Sequence, residues 1–220
     1  MLLAPLLTAL VVAISSPADV SPTLVEHVVD EANAIWRPAG VTLVRRRDDD
    51  GASAPIAIVI GPERGSAHAY DAPLGWIQFN GTHPQPQLYL SYTNAIALLQ
   101  SARGIVGLIS QMPILERETY LGRAMGRALA HELGHYLLEA KTHTSTGLMK
   151  ANFTAAEFFT SDHTRFTLTA AQQSTAAARV NEAALLASAA TPTSGSASST
   201  SRKPASTRPG TARWQGPTPH

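Results

Sequence analysis

The chain has 220 residues, 44% of them hydrophobic, enough for one domain with a buried core. Its formal charge of +1 is unevenly spread: residues 183–220 carry Arg202, Lys203, Arg208 and Arg213 and no acidic group, leaving 13 basic against 16 acidic groups in the body. That balance speaks against a nucleic-acid-binding surface, and the absence of cysteine excludes disulfides and thiolate metal ligands.

Residues 1–18 allow two readings. Met1 to Ile14 is an apolar run, and Ser16, Pro17 and Ala18 offer small residues where a signal peptide could be cleaved. No Lys or Arg precedes the run, and Pro5 interrupts it. The run is too short for a transmembrane helix, and no stable membrane span is expected. Alternatively, Thr8–Ser15, rich in Val, Leu and Ile, is a buried first strand. An extracytoplasmic location is expected under both.

A helix is predicted from Pro22 to Arg37, with Ser21 as its cap and Pro22 in its first turn. Leu24, Val25, Val28, Val29, Ala32, Ile35 and Trp36 form its apolar face, and Pro38 to Gly40 end it. Strands follow at Val41–Arg45 and Ala54–Ile60, the second apolar throughout and so central. Between them Asp48 to Gly51 reads as a solvated turn, since its spacing does not suit a calcium loop. Residues 61–73 read as a loop, Gly75–Phe79 and Gln87–Tyr92 as strands, and Asn94–Ser101 as a brief helix. A long helix is predicted over Thr119–Leu138 and a last one from about Phe166, capped by Thr167 or Thr169, to about Ala187. From residue 188 onward Ser, Thr, Pro and basic residues dominate, a composition that cannot bury a core and is expected to be disordered.

The chemistry concentrates in His131-Glu132-Leu133-Gly134-His135. On a helix, residues four apart share a face, so His131 and His135 present two imidazoles about one turn apart. Two neutral imidazoles suit a tetrahedral Zn²⁺, and Glu132 is placed to take a proton from an activated water. Leu121, Met125, Ala128, Leu129 and Leu133 make an apolar stripe on the same helix. Gly122, Gly126 and Gly134 lower helix propensity; either they leave room for another backbone or for the metal shell, or the helix simply tolerates them. A catalytic zinc needs a third protein ligand. His143 is the first choice; Glu139, Asp162 and His163 are fallbacks, and Glu157 would serve in a site of the glutamate type.

The chain resembles the metzincin zinc peptidases. Their motif is HExxHxxGxxH followed by a methionine turn, and His131, Glu132, His135, His143 and Met149 match by role. The family's glycine position holds Leu138 and its third histidine position holds Lys141, so the loop to His143 is two residues longer. The resemblance implies an α+β catalytic domain over residues 19–187: a mixed twisted sheet with an antiparallel edge strand, an active-site helix, a Met-turn and a C-terminal helix. It implies zinc as cofactor, a peptide or protein as substrate and Glu132 as general base. Met149 would support the metal from below, and residues 144–160 would form the substrate pocket wall. The edge strand would be Gly75, Trp76, Ile77, Gln78 and Phe79, which become candidate substrate contacts because a free edge can pair with an extended peptide. Two alternatives stand beside this: a glutamate-type or regulatory zinc protease using Glu157, and a metal-binding surface domain without turnover. The sequence does not fix the oligomeric state.

Overall fold

The computed structural model describes residues 8–46, 56–61 and 73–190, the last five without their side chains. Its architecture is α+β, with helices packed on a mixed five-stranded sheet. The strands are β1 (Thr8–Ser15), β2 (Val41–Arg45), β3 (Ile56–Gly61), β4 (Gly75–Asn80) and β5 (His83–Ser91), in the order β2-β1-β3-β5-β4. β1 pairs in parallel with β2 and β3, and β3 in parallel with β5. β4 lies at one edge, antiparallel to β5. Residues 8–15 are thus an interior strand. The predicted turn at Asp48 to Gly51, most of the loop at 61–73 and the tail from 191 lie outside the described residues.

The helices are α1 (Pro22–Trp36), α2 (Tyr92–Ser101), α3 (Arg103–Val106), α4 (Ile114–Leu138), α5 (Ala155–Phe159) and α6 (Ala170–Ala190). Ser21 caps α1 by accepting from the Leu24 amide at 3.0 Å. Thr169 and Gln172 cap α6 reciprocally, each side chain accepting from the other's amide. α4 begins five residues earlier than predicted, β5 begins at His83 rather than Gln87, α6 begins at Ala170 rather than Phe166, and α3 and α5 were not anticipated. Among the described residues, no helix is long and apolar enough to cross a membrane.

α1 and α4 pack face to face, and two glycines make the fit possible. A Cβ on Gly126 would lie 2.6 Å from the Glu31 Cβ and 2.7 Å from the Val28 carbonyl oxygen. Gly122, one turn earlier, faces the His27 Cβ in the same way. Trp36, fully buried at the end of α1, donates its indole N–H to the Ala130 carbonyl at 3.1 Å. α4 is therefore held along its length before it reaches His131. The invading partner anticipated for the glycines is a neighbouring helix at Gly122 and Gly126.

Candidate metal centre

The last two turns of α4 carry His131 and His135, and the chain returns His143 to them after the helix ends. The reversal runs through Glu139, which adopts a left-handed conformation (φ 49°), the only non-glycine to do so among the described residues. Such a conformation costs a residue with a Cβ about 1 kcal/mol. Arg179 on α6 offsets part of that, meeting the Glu139 carboxylate at 2.5 Å while its guanidinium lies over the Tyr136 ring. Glu139, a fallback ligand on sequence grounds, is thus turned to α6. The chain thus reverses here without a glycine.

The three imidazoles converge. One ligating nitrogen from each of His131, His135 and His143 can be chosen so that all lie within 4.8 Å of one another. The ring centroids are 4.7 Å apart for His131 and His135, 5.3 Å for His131 and His143, and 5.0 Å for His135 and His143. Backbone carbonyls set the tautomers of the first two. His131 Nδ1 lies 2.7 Å from the Leu148 oxygen, and His135 Nδ1 lies 2.5 Å from the Ala140 oxygen. A carbonyl only accepts, so each Nδ1 carries the proton and each Nε2 is left with a bare lone pair. Those two Nε2 atoms stand 3.1 Å apart. Tetrahedral bonds of about 2.0–2.1 Å would place two ligand nitrogens about 3.4 Å apart, close to what is found. Burial above all, with His135 and His143 adding to it and the Leu148 carbonyl opposing it, lowers the pKa of His131 to about 4. Burial also lowers that of His135. Both rings are therefore neutral at physiological pH, the form a metal requires. The donor set fits a metal ion.

Met149 is buried and fills the space that Gly134 leaves open on α4. The turn bearing it is tied to its surroundings twice: the Thr144 amide donates to the Met149 carbonyl at 2.8 Å, and the Leu148 amide to Thr167 at 2.8 Å. One short segment thus supplies the Leu148 carbonyl that orients His131, the methionine under the helix and an anchor for the residue after His143.

Glu132 turns toward β4, where a Cβ on Gly75 would lie 3.0 Å from its Cγ. It is 9% exposed. Burial raises its pKa to about 8, against the opposing effect of a hydrogen bond from the Ile77 amide. β4 alternates: Gly75, Ile77 and Phe79 face α4, while Trp76 stacks on Tyr89 of β5 with ring centroids 5.3 Å apart. Phe79 meets the His135 ring edge-on at 6.4 Å, and the Lys141 ammonium lies over the Phe79 ring, 5.0 Å from its centroid. Lys141 is therefore turned to Phe79. On the opposite flank Phe153 meets His131 edge-on at 6.1 Å and stacks on Phe166 at 4.6 Å.

The remaining candidate ligands are not brought to the histidines. Glu157 caps α5 through a reciprocal bond with Thr154 and pairs with Lys150 at 2.6 Å. The Lys150 ammonium, then the Thr154 amide, hold its pKa down to about 2. Asp162 accepts from the amide and hydroxyl of Thr164 on the surface. Among the described residues His131, His135 and His143 form the one group of three or more metal-ligating side chains.

Sequence reasoning missed Arg127, one turn before His131. It is fully buried, pairs with Glu31 at 2.7 Å, donates to the carbonyls of Glu157 and Thr160, and lies under the Phe166 ring. It ties α4 to α1 and to the segment after the Met149 turn. Arg127 falls outside the apolar stripe of α4, so the sequence carried no local signal of its burial. No protein-family model matches this chain, and no curated protein matches it significantly.

Proposed function

We propose that the protein is a zinc-dependent metallopeptidase of metzincin-like architecture. The observation that carries this reading is a single one: two imidazoles locked by carbonyls with bare Nε2 atoms 3.1 Å apart, a third imidazole beside them, and a buried carboxyl on the adjacent residue. The antiparallel edge strand, the histidine delivered after the helix and the methionine beneath it support the family assignment.

His131, His135 and His143 would hold the metal, and zinc suits an all-imidazole set with an open position. When bound, zinc supplies a Lewis acid that lowers the pKa of a water and stabilises the charge on a scissile carbonyl oxygen. Glu132 takes the proton of the attacking water and passes it to the leaving amine. A nearby dication reverses the effect of burial on that carboxyl and keeps it ionised for this task. Phe79 and Phe153 flank the histidines as apolar walls, and β4, the edge strand among the described residues, offers a place for an extended peptide.

The test is metal analysis together with hydrolysis of fluorescein-labelled casein, with and without chelator. Zinc at one equivalent and chelator-sensitive cleavage are expected. Glu132→Gln should keep the zinc and lose at least about a hundredfold in turnover, the lower end of general-base contributions. A Glu132→Gln protein with full activity would overturn the assignment.

A further inference from the structure

β4 and α4 touch beside the histidines, and the contact depends on a missing side chain. Gly75 opens β4 without a positive φ, so its backbone conformation does not require glycine. The space around it does. A Cβ there would lie 3.0 Å from the Glu132 Cγ, 3.2 Å from the Leu90 Cδ2 and 3.2 Å from the Tyr89 carbonyl oxygen. Tyr89 and Leu90 belong to β5, and Leu90 is fully buried. Neither can retreat without disturbing the sheet, so an added side chain would push Glu132 aside or lift β4 from the helix. Two residues along the same face, the Ile77 amide donates to the Glu132 carboxyl.

We propose that Gly75 is a positioning residue for Glu132: lacking a side chain, it lets β4 close onto α4 until the Ile77 amide reaches and fixes the carboxyl. The inference rests on the reading of Glu132 as the base. It gives the edge strand a second task. The strand offered to a peptide also sets the group that activates water, so a substrate paired to β4 meets a base already registered to it. Gly75 thereby moves from a candidate substrate contact to a contact of the catalytic machinery.

The test compares full-length wild type with Gly75→Ala, Gly75→Val and, as a control, Gly104→Ala, whose Cβ meets nothing within 4 Å. The first readout needs no activity. Hydrogen exchange of the Ile77 amide, followed by NMR on metal-free protein, should be protected in wild type. Protection should fall at least about tenfold in Gly75→Val and in Glu132→Ala, with Val12 in the interior strand β1 unchanged. Should the valine variant not fold, Gly75→Ala carries the same comparison with a smaller loss. Ile77 protection unchanged by either substitution would overturn the proposal. In the zinc-loaded enzyme, kcat on fluorescein-casein should fall about tenfold for alanine and about a hundredfold for valine, with KM and zinc content kept. A rise in KM at constant kcat would return Gly75 to direct substrate contact and overturn it. So would recovery in Gly75→Ala/Leu90→Val, which would lay the effect on Leu90. If zinc-loaded wild type cleaves no casein, the peptidase reading fails, while the exchange experiment still decides whether β4 holds Glu132.

Discussion

Glu132 and His131 are neighbours in sequence and are pushed in opposite directions by one cause, burial. In the metal-free protein Glu132 titrates near 8 instead of 4.5, and His131 near 4 instead of 6.5. The unfolded glutamate ionises first, so its contribution to stability is present below pH 4.5 and is lost as pH rises toward 8. The unfolded histidine protonates first, so stability is lost as pH falls from 6.5 toward 4. The two slopes oppose each other between pH 4.5 and 6.5. Between pH 6.5 and 8 Glu132 acts alone. Over that window metal-free wild type should lose about 2 kcal/mol, from about 1.4 kcal/mol per pH unit, and Glu132→Gln should lose almost nothing. Urea denaturation in chelator measures both. An equal slope in the variant would place the titration on another group.

At the scale of elements, the seam between α1 and α4 sets where the histidines stand. Gly126→Ala gains helix propensity of about 1 kcal/mol but drives a methyl against the Val28 carbonyl and the Glu31 Cβ. Backbone cannot step aside, so a net loss of about 1–3 kcal/mol in urea denaturation is expected, the range for overpacked cores. Gly134→Ala presses on the Met149 thioether instead. A thioether adapts, so the expected loss of stability is smaller, and the damage should appear as weaker metal binding in a chelator competition. The elements that escaped the sequence did so for identifiable reasons. Ile114 and Leu115 are exposed at the start of α4 and break the apolar stripe that marks the rest of it. Pro84 and Pro86 hide the start of β5, yet β3 pairs with β5 only from Gln87 onward, so neither proline denies a bond to that neighbour. α5 has too few residues for a period, though Thr154 and Glu157 spell its capping box.

For the molecule as a whole, the sheet order and the third histidine differ in how far a sequence can carry them. An apolar run at residues 8–15 and a helix beginning at Pro22 were legible from composition and capping, and the edge position of β4 followed from the family's order of elements. His131 and His135 were legible from helical spacing alone. The Arg127–Glu31 pair joins residues 96 positions apart, and the Ile77 bond to Glu132 joins a strand to a helix. No local pattern encodes such contacts. His143 lies between these cases, because its distance from His135 departs from the family pattern and only the reversal at Glu139 closes it. This makes metal binding a test of the whole arrangement. A metal held by His131, His135 and His143 joins the end of α4 to the segment that carries the Met149 turn. Binding to the folded state alone should stabilise it by about 4 kcal/mol at a thousand times Kd. His143→Ala removes one of three ligands and should lower zinc affinity at least about tenfold, the lower end even for second-sphere losses. Glu157→Ala should leave that affinity unchanged, while costing about 1 kcal/mol as the α5 cap and Lys150 partner are lost. Thermal unfolding with and without zinc, beside chelator competition, reads both quantities on the same proteins. Zinc retained by His143→Ala and lost by Glu157→Ala would reverse the ligand assignment, and with it the metzincin-like reading.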